Sequence, residues 1–584
     1  MQCKAHGAQN SRQYALSRRG GEHRATPQCA RKTTFMKFDL DHDWQGNMST
    51  PRAKIGERAK THLLIILCAV WLLMGLIGHN PWKPFESHVI STVKTILDTG
   101  DVLAPLSASS NQLTNPPLYY LSAAFSATLF GHFLPDHDAA RIATGFWMTI
   151  TLLMMGMTGR ELWGVGFGRQ TTFILIGSIG LVVSAHTLMP AVSSLTGVAT
   201  GFYALALAKR RPFRASLLLG LGMGAAFLST GLLPFLIILL TSLVLPLLFS
   251  AWRTPSFAKV LAIAIVVASP FLLVWPILCH HFKPLLFNAW WVQSLASFSH
   301  FHHIYFLNIL MWYAWPALPI AVWGIWRYRI QLLTKPKFQL IVTFFVVAWA
   351  LIGLAAEDKE VFALPLLIPL TAMAGGSIET LKRGAAGALN WFGLILFGII
   401  SSLIWLGWNA MMTGSPSKIK ERLTFLSGLQ SLNFSMTAVM LAVAVTLIWL
   451  LAILRTKYTN RSSATNWAVG ITCVWTLLMT LWLPMVDAAR SYGDVFMSLK
   501  HALPKQYACI ASNHLGDAQR DLLHYYVNVK TQPFETVQRL DCDLYLIQDA
   551  RGAEKTSPGA EWELIWKGKR ISERREAFRL FKHL

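Results

Sequence analysis

The chain has 584 residues, of which 53% are apolar and only 14% charged, with 23 Trp and a mean hydropathy of +0.42. A soluble protein carries nearer a quarter charged residues, so this composition excludes an ordinary soluble domain and points to a chain that crosses a membrane many times. The net charge of +23 does not signal nucleic acid, because Lys209-Arg210-Arg211, Arg327-Tyr328-Arg329, Lys382-Arg383 and Arg455-Thr456-Lys457 sit between apolar stretches, as cytoplasmic loops do.

Residues 1–60 are polar, basic and poor in aliphatic side chains, and they lack the apolar core of a signal peptide. They are expected to be a disordered cytoplasmic extension, with Met36 and Met48 as alternative translation starts. From Thr61 to Pro484, stretches long enough to cross roughly 30 Å of hydrocarbon recur. They give thirteen expected crossings, near 62–79, 141–158, 171–187, 191–208, 215–229, 231–250, 257–277, 305–325, 338–355, 361–377, 391–409, 434–454 and 466–484. Pro116–Phe130 is apolar too, but as a helix it reaches only about 22 Å. Laying it on or partway into the outer surface puts the basic clusters at Arg160, Arg169, Arg210, Arg327 and Arg455 on the inner side.

That topology puts the N-terminus inside and the C-terminus outside. The expected organisation is a helical membrane domain over 61–486, with a large outer loop over 80–140, followed by a soluble α/β domain over 487–584. Within the loop, Val89, Ile90, Val93, Ile96 and Leu97 recur at helical spacing until Asp98-Thr99-Gly100-Asp101, which predicts an interfacial helix from Glu86. A second outer loop, 279–304, holds His280, His281, Trp290, Trp291, His300, His302 and His303. Its Trp residues suit interface anchoring, and its His spacing matches no metal-ligand motif. Glu357-Asp358-Lys359-Glu360 also faces outward.

In the C-terminal region, Tyr507–Ala511, Cys542–Gln548, Trp562–Lys567 and Phe578–Phe581 suggest strands and Asp517–Val527 a helix. Among the seven cysteines, Cys68, Cys279 and Cys473 fall in or beside apolar spans. Cys509 and Cys542 lie outside them, compatible with a disulfide or with two buried thiols.

A carboxylate placed between membrane helices is expensive, and the default reading of Glu86 is a functional group. The alternative is a helix N-terminal carboxylate favoured by the macrodipole. Around it, Trp82-Lys83-Pro84-Phe85-Glu86, Asp98–Asp101, Asn115-Pro116-Pro117-Leu118-Tyr119-Tyr120, Asp138-Ala139-Ala140-Arg141, Gly222–Pro234 and Val361–Pro369 follow one another in a characteristic order. From Leu63 to Leu584 the chain thereby resembles the C-type (GT-C) membrane glycosyltransferases, in the branch holding lipid A aminoarabinose transferases and protein O-mannosyltransferases.

The resemblance implies transfer of a sugar, with inversion, from a polyprenyl (undecaprenyl) phosphate carrier to a lipid or envelope-glycan acceptor, or secondarily a protein hydroxyl. The site would lie at the periplasmic face of a bacterial inner membrane. Glu86 matches the family's acidic residue and becomes the candidate catalytic base. Arg141 would recognise phosphate or pair with Asp138. Lys359 would touch the carrier phosphate or pair with Glu357 or Glu360. His88 stands where the family has arginine, and Lys83 offers a substitute charge. Asn115 replaces a family lysine, Phe85 a family aspartate and Thr230 a second lysine. The expected partners are the lipid-linked donor, the acceptor and membrane lipids, with no nucleic acid, metal or cofactor; the oligomeric state stays open. A non-catalytic member that binds lipid-linked sugar or a partner enzyme, and a transporter or flippase, are the rival readings.

Overall fold

The computed structural model describes residues 56–299, 301–455, 459–534, 542–549, 558–570, 573 and 576–584. The extension through residue 55, with Met36 and Met48, and also His300 and Thr456-Lys457, lie outside the described residues.

Among the described residues, nine helices are long and apolar enough to cross a bilayer: Asp136–Trp163, Pro190–Leu207, Pro212–Thr230, Pro255–Phe282, Pro336–Ala355, Glu360–Thr380, Arg383–Thr413, Met436–Arg455 and Asn460–Arg490. The pair His303–Tyr313 and Ala317–Arg327 supplies a tenth if counted as one span, bent by 105°. Pro316, which has no amide hydrogen to donate, lies at that break. The other expected crossings are shorter or broken. Glu57–Leu73 and Leu232–Leu248 have 17 residues each, and the segment expected at 171–187 divides into Phe167–Ile176 and Ile179–Ser184 around Gly177.

Burial separates inner from outer helices. Over an 18-residue stretch of Pro190–Leu207 and of Glu360–Thr380, 83% of the residues are buried, whereas in Met436–Arg455 only 11% are, and Met440, Leu447 and Ile448 face outward. Helices surrounded by lipid gain little from the hydrophobic effect on pairing, so close contact of small residues must hold them. Gly197, Gly201 and Gly222 provide it. A Cβ at Gly222 would stand 2.7 Å from the Gly201 nitrogen, and one at Gly197 2.6 Å from that of Ala226.

A helix is present where the spacing predicts one, as Phe85–Thr99, ended by Gly100 in the left-handed conformation with its amide donating to Ile96. Its apolar stripe does not face lipid. Val89, Ile90, Val93 and Ile96 are buried in one core with Tyr119 and Tyr120 of the Leu118–Phe130 helix and Leu522, Leu523 and Phe578 of the C-terminal region. At about 1.5–3 kcal/mol per buried large apolar side chain, this shared core fastens the C-terminal region onto the loop.

Among the described residues, that region forms a five-stranded sheet: β1 (Ile510–Asn513), β2 (Gln532–Pro533), β3 (Leu544–Asp549), β4 (Trp562–Gly568) and β5 (Ala577–His583), in the order β2-β1-β3-β5-β4. β1 runs parallel to β2 and β3, and β5 runs antiparallel to β3 and β4. The Asp517–Val527 helix packs between the sheet and the Phe85–Thr99 helix. A disulfide joins Cys509 to Cys542, settling the alternative left open by the sequence.

Candidate active site

The first turn of the Phe85–Thr99 helix carries Glu86, and the first turns of the Asp136–Trp163 helix carry Asp138 and Arg141. These three side chains meet in a buried knot, with Glu86 1% and Arg141 0% exposed. Arg141 Nε donates to Glu86 Oε1 at 2.8 Å and its Nη2 to Oε2 at 3.1 Å, the planar fork that suits a carboxylate. Its Nη1 donates to Asp138 Oδ1 at 2.6 Å and to the carbonyl of His79 at 2.8 Å, and its Nη2 also reaches the carbonyl of Asn80 at 3.1 Å. All five guanidinium hydrogens therefore have acceptors.

Glu86 is equally saturated. Besides the two bonds from Arg141, the amide of Leu188 donates to Oε1 at 3.0 Å and that of Trp82 to Oε2 at 2.9 Å. Burial alone would raise its pKa. The charge and hydrogen bonds of Arg141, with the amide of Trp82, outweigh that effect and hold the carboxyl below its ordinary value. In this arrangement Glu86 has neither a free lone pair nor an exposed face with which to take a proton from a substrate. It ties together the loop at Trp82, the Asp136–Trp163 helix and the turn at Leu188. The macrodipole and the ion pair act on it together.

The knot extends into residues that the sequence did not single out. Asp487 accepts from the amide of Asn80 at 3.0 Å, from its side chain at 2.9 Å and from Trp82 Nε1 at 2.9 Å. Tyr526 donates to Asn80 Oδ1 at 2.9 Å, Arg490 lies over the Trp82 ring, and His79 stacks on the same ring. A lone carboxylate just past the last apolar span was the available signal for Asp487. Nothing in the sequence pointed to Asn80.

The remaining expected site residues lie elsewhere. Lys83 donates to Tyr492 Oη at 2.7 Å and to Glu576 Oε1 at 2.9 Å, so its charge serves the junction with the C-terminal sheet. Burial would raise the pKa of Glu576, but bonds from Tyr492 and Lys83 and the charge of Lys83 bring it below the ordinary value. His88 and Asn115 fall in a second, half-open polar patch: His88 Nε2 lies 2.9 Å from Thr114 Oγ1, and Asn115 Nδ2 donates to Tyr120 Oη at 3.3 Å. Lys359 pairs with Glu357 at 2.5 Å, the salt-bridge alternative, and the neighbouring Asp358 faces His302 at 2.8 Å.

Of the positions where charge is missing, Phe85 is 40% exposed and Thr230 donates to Ser194 Oγ at 2.9 Å. Among the described residues, no three His, Cys, Asp or Glu side chains gather where they could hold a metal ion.

No protein-family model matches the chain. By sequence it is 24% identical over 362 residues to the undecaprenyl phosphate-α-4-amino-4-deoxy-L-arabinose arabinosyl transferase of Pseudomonas paraeruginosa, a match covering 59% of this chain and 64% of that protein. It is 22% identical over 363 residues to the enzyme of the same name from Photorhabdus laumondii, with the same coverage. The chain thus matches under two thirds of the length of these relatives. By structure it shares the fold of ArnT from Cupriavidus metallidurans bound to undecaprenyl phosphate, with a TM-score of 0.65 at 14% identity over 90% of this chain and 98% of that one. The apo form of the same protein gives a TM-score of 0.66.

Proposed function

We propose that this chain is a multi-pass membrane glycosyltransferase that takes a sugar from an undecaprenyl-phosphate carrier and passes it to a lipid or envelope-glycan acceptor at the periplasmic face. The observation that carries the reading is the agreement of two likenesses. The sequence match is to arabinosyl transferases that use undecaprenyl phosphate, and the fold match, over nine tenths of the chain, is to a protein found with that lipid bound.

The full topology is thirteen crossings, counting the two 17-residue helices, the divided segment at 167–184 and the bent pair, with the loop 80–140, the acidic turn 357–360 and the domain 487–584 outside. The Cys509–Cys542 disulfide supports that side for the C-terminal domain, since such bonds persist in oxidising compartments. Within the site, Glu86, Arg141 and Asp138 are positioning residues that fix the start of the first outer helix. The half-open patch of His88, Thr114 and Asn115 is the surface available to substrate. Lys359, exposed on the acidic turn 357–360, is the cation proposed to exchange Glu357 for a lipid phosphate.

The test is transfer from a radiolabelled undecaprenyl-phosphate sugar in membranes containing or lacking the protein, with products resolved by mass spectrometry. A new glycoside that depends on the protein supports the reading, and labelled sugar crossing vesicles without any new glycoside would replace it with transport. The saturation of Glu86, together with Phe85 and Thr230, favours one alternative, a member that binds the lipid-linked sugar without turning it over. Donor binding with no product in the same assay is its signature.

A further inference from the structure

Two positions beyond Glu86, roughly 200° around the helix, His88 points away from the buried knot. Its side chain is 25% exposed, and each ring nitrogen faces a different kind of partner. Nδ1 lies 3.6 Å from Oδ2 of Asp521, a residue of the Asp517–Val527 helix in the C-terminal domain. Nε2 meets the hydroxyl of Thr114, an exposed residue directly before Asn115.

Asp521 gives this geometry its meaning. The carboxylate is 1% exposed, and its hydrogen bonds come from the amide of Ser109 at 3.0 Å and the hydroxyl of Ser109 at 2.8 Å. Both donors are neutral, and a buried carboxylate is costly unless a cation stands nearby. Among the described residues, His88 is the group within ion-pair distance that can become one. His524, on the same helix, directs its Nδ1 to Ser91 Oγ instead. Tyr120 sets its ring edge-on to His88 at 6.5 Å, and Glu86 is committed to Arg141. In the tautomer that carries its hydrogen on Nδ1, toward Asp521, Nε2 is left as an acceptor, and the Thr114 hydroxyl lies 2.9 Å from it.

Resting on the glycosyl-transfer reading above, we infer that His88 is the proton acceptor of the site, that Asp521 is its positioning residue, and that the acceptor substrate presents a hydroxyl. The acceptor oxygen forms a bond to the anomeric carbon while the bond from that carbon to the lipid phosphate oxygen breaks, its electron pair leaving on the phosphate. The hydroxyl proton passes to Nε2, and the resulting imidazolium is held against Asp521 until water removes the proton. Proton acceptor and positioning carboxylate thus come from opposite ends of the chain, which gives the C-terminal domain a part in the chemistry.

The experiment uses the full chain in lipid nanodiscs, with undecaprenyl phosphate-α-4-amino-4-deoxy-L-arabinose as donor and an envelope lipid extract as acceptor. His88→Ala is expected to lower kcat by about 100-fold or more, the size of a general-base contribution, with the donor KM nearly unchanged. Added imidazole is expected to restore part of the loss. Asp521→Asn is expected to lower kcat by about tenfold or more while Asp521→Glu retains more of it than Asn does, and thermal unfolding of His88→Ala should match the parent. A His88→Ala protein that turns over like the parent, that loses only donor affinity, or that imidazole fails to rescue overturns the inference and leaves the transfer reading standing. A parent protein inert with this donor and with mixed polyprenyl-phosphate sugars overturns both.

Discussion

Replacing Glu86 by Gln separates a structural carboxylate from a reactive one. Gln keeps one oxygen, able to hold two of the four bonds now made, but its amide nitrogen would face an N–H of Arg141 and the amide of Trp82 or Leu188. Donor would meet donor, and the Arg141 guanidinium would be left with Asp138 as its one charged partner in the knot. Two charge-assisted bonds at about 1.5–3 kcal/mol each, lost from a fully buried pair, give a cost of about 3–6 kcal/mol. Glu86→Asp keeps the charge but shortens the reach, and its loss should fall between Gln and the parent. The assay is thermal unfolding in nanodiscs followed by tryptophan fluorescence, alongside sugar transfer. A Glu86→Gln protein that melts with the parent while transfer falls a thousandfold would refute the reasoning, because the carboxylate would then be acting on substrate.

The acid limb of stability should report the same group. A carboxyl titrating below its ordinary value of about 4.3 contributes fully above that pH and loses its contribution as pH falls through the lower folded value, so unfolding below about pH 4 should be steeper in the parent than in Glu86→Gln. Tyr492→Phe removes the hydroxyl that donates to Glu576 at 2.6 Å and accepts from Lys83, so Lys83 and Glu576 each lose a partner; a cost of about 1–3 kcal/mol and faster proteolysis near the C-terminal sheet are expected. Cys509→Ser with Cys542→Ser opens a loop of 33 residues in sequence separation, for which chain entropy gives about 3–4 kcal/mol, measurable as a lower melting temperature of the same sheet. Single cysteines at Gln112 and Lys505 should react with an impermeant maleimide from outside intact spheroplasts, and one at Arg329 only after permeabilisation. The reverse pattern would invert the topology.

Local patterns were legible in the sequence. The Asp517–Val527 helix appears with the bounds its spacing suggested, and the stripe Val89, Ile90, Val93 and Ile96 marks the Phe85–Thr99 helix, because periodicity records which face is covered. What covers that face was not legible: Leu522 and Phe578 are no more lipid-like or protein-like in sequence than an acyl chain's other neighbours. The charged site is legible only in pieces for a related reason. Arg141 and Asp138, three residues apart on one helix, were an obvious pair, whereas the stronger fork from Arg141 to Glu86 spans 55 residues and the clasp of Asp487 on Asn80 spans 407. Pairings at such distances are set by how helices pack, and no local spacing encodes them. The breaks in the bent pair and near Gly177 leave no mark on hydropathy, which sums residues without regard to whether the backbone stays straight.

The clasp of Asp487 on the loop at Asn80 and Trp82 also bears on how the protein is made. Those loop residues leave the ribosome early, yet the oxygens that hold them belong to a helix synthesised four hundred positions later. Until that helix is inserted, the entrance to the Phe85–Thr99 helix has its arginine but lacks its second clamp. Nascent chains halted before Asp487 should therefore leave the Trp82 indole open to oxidation, and chains halted beyond it should not.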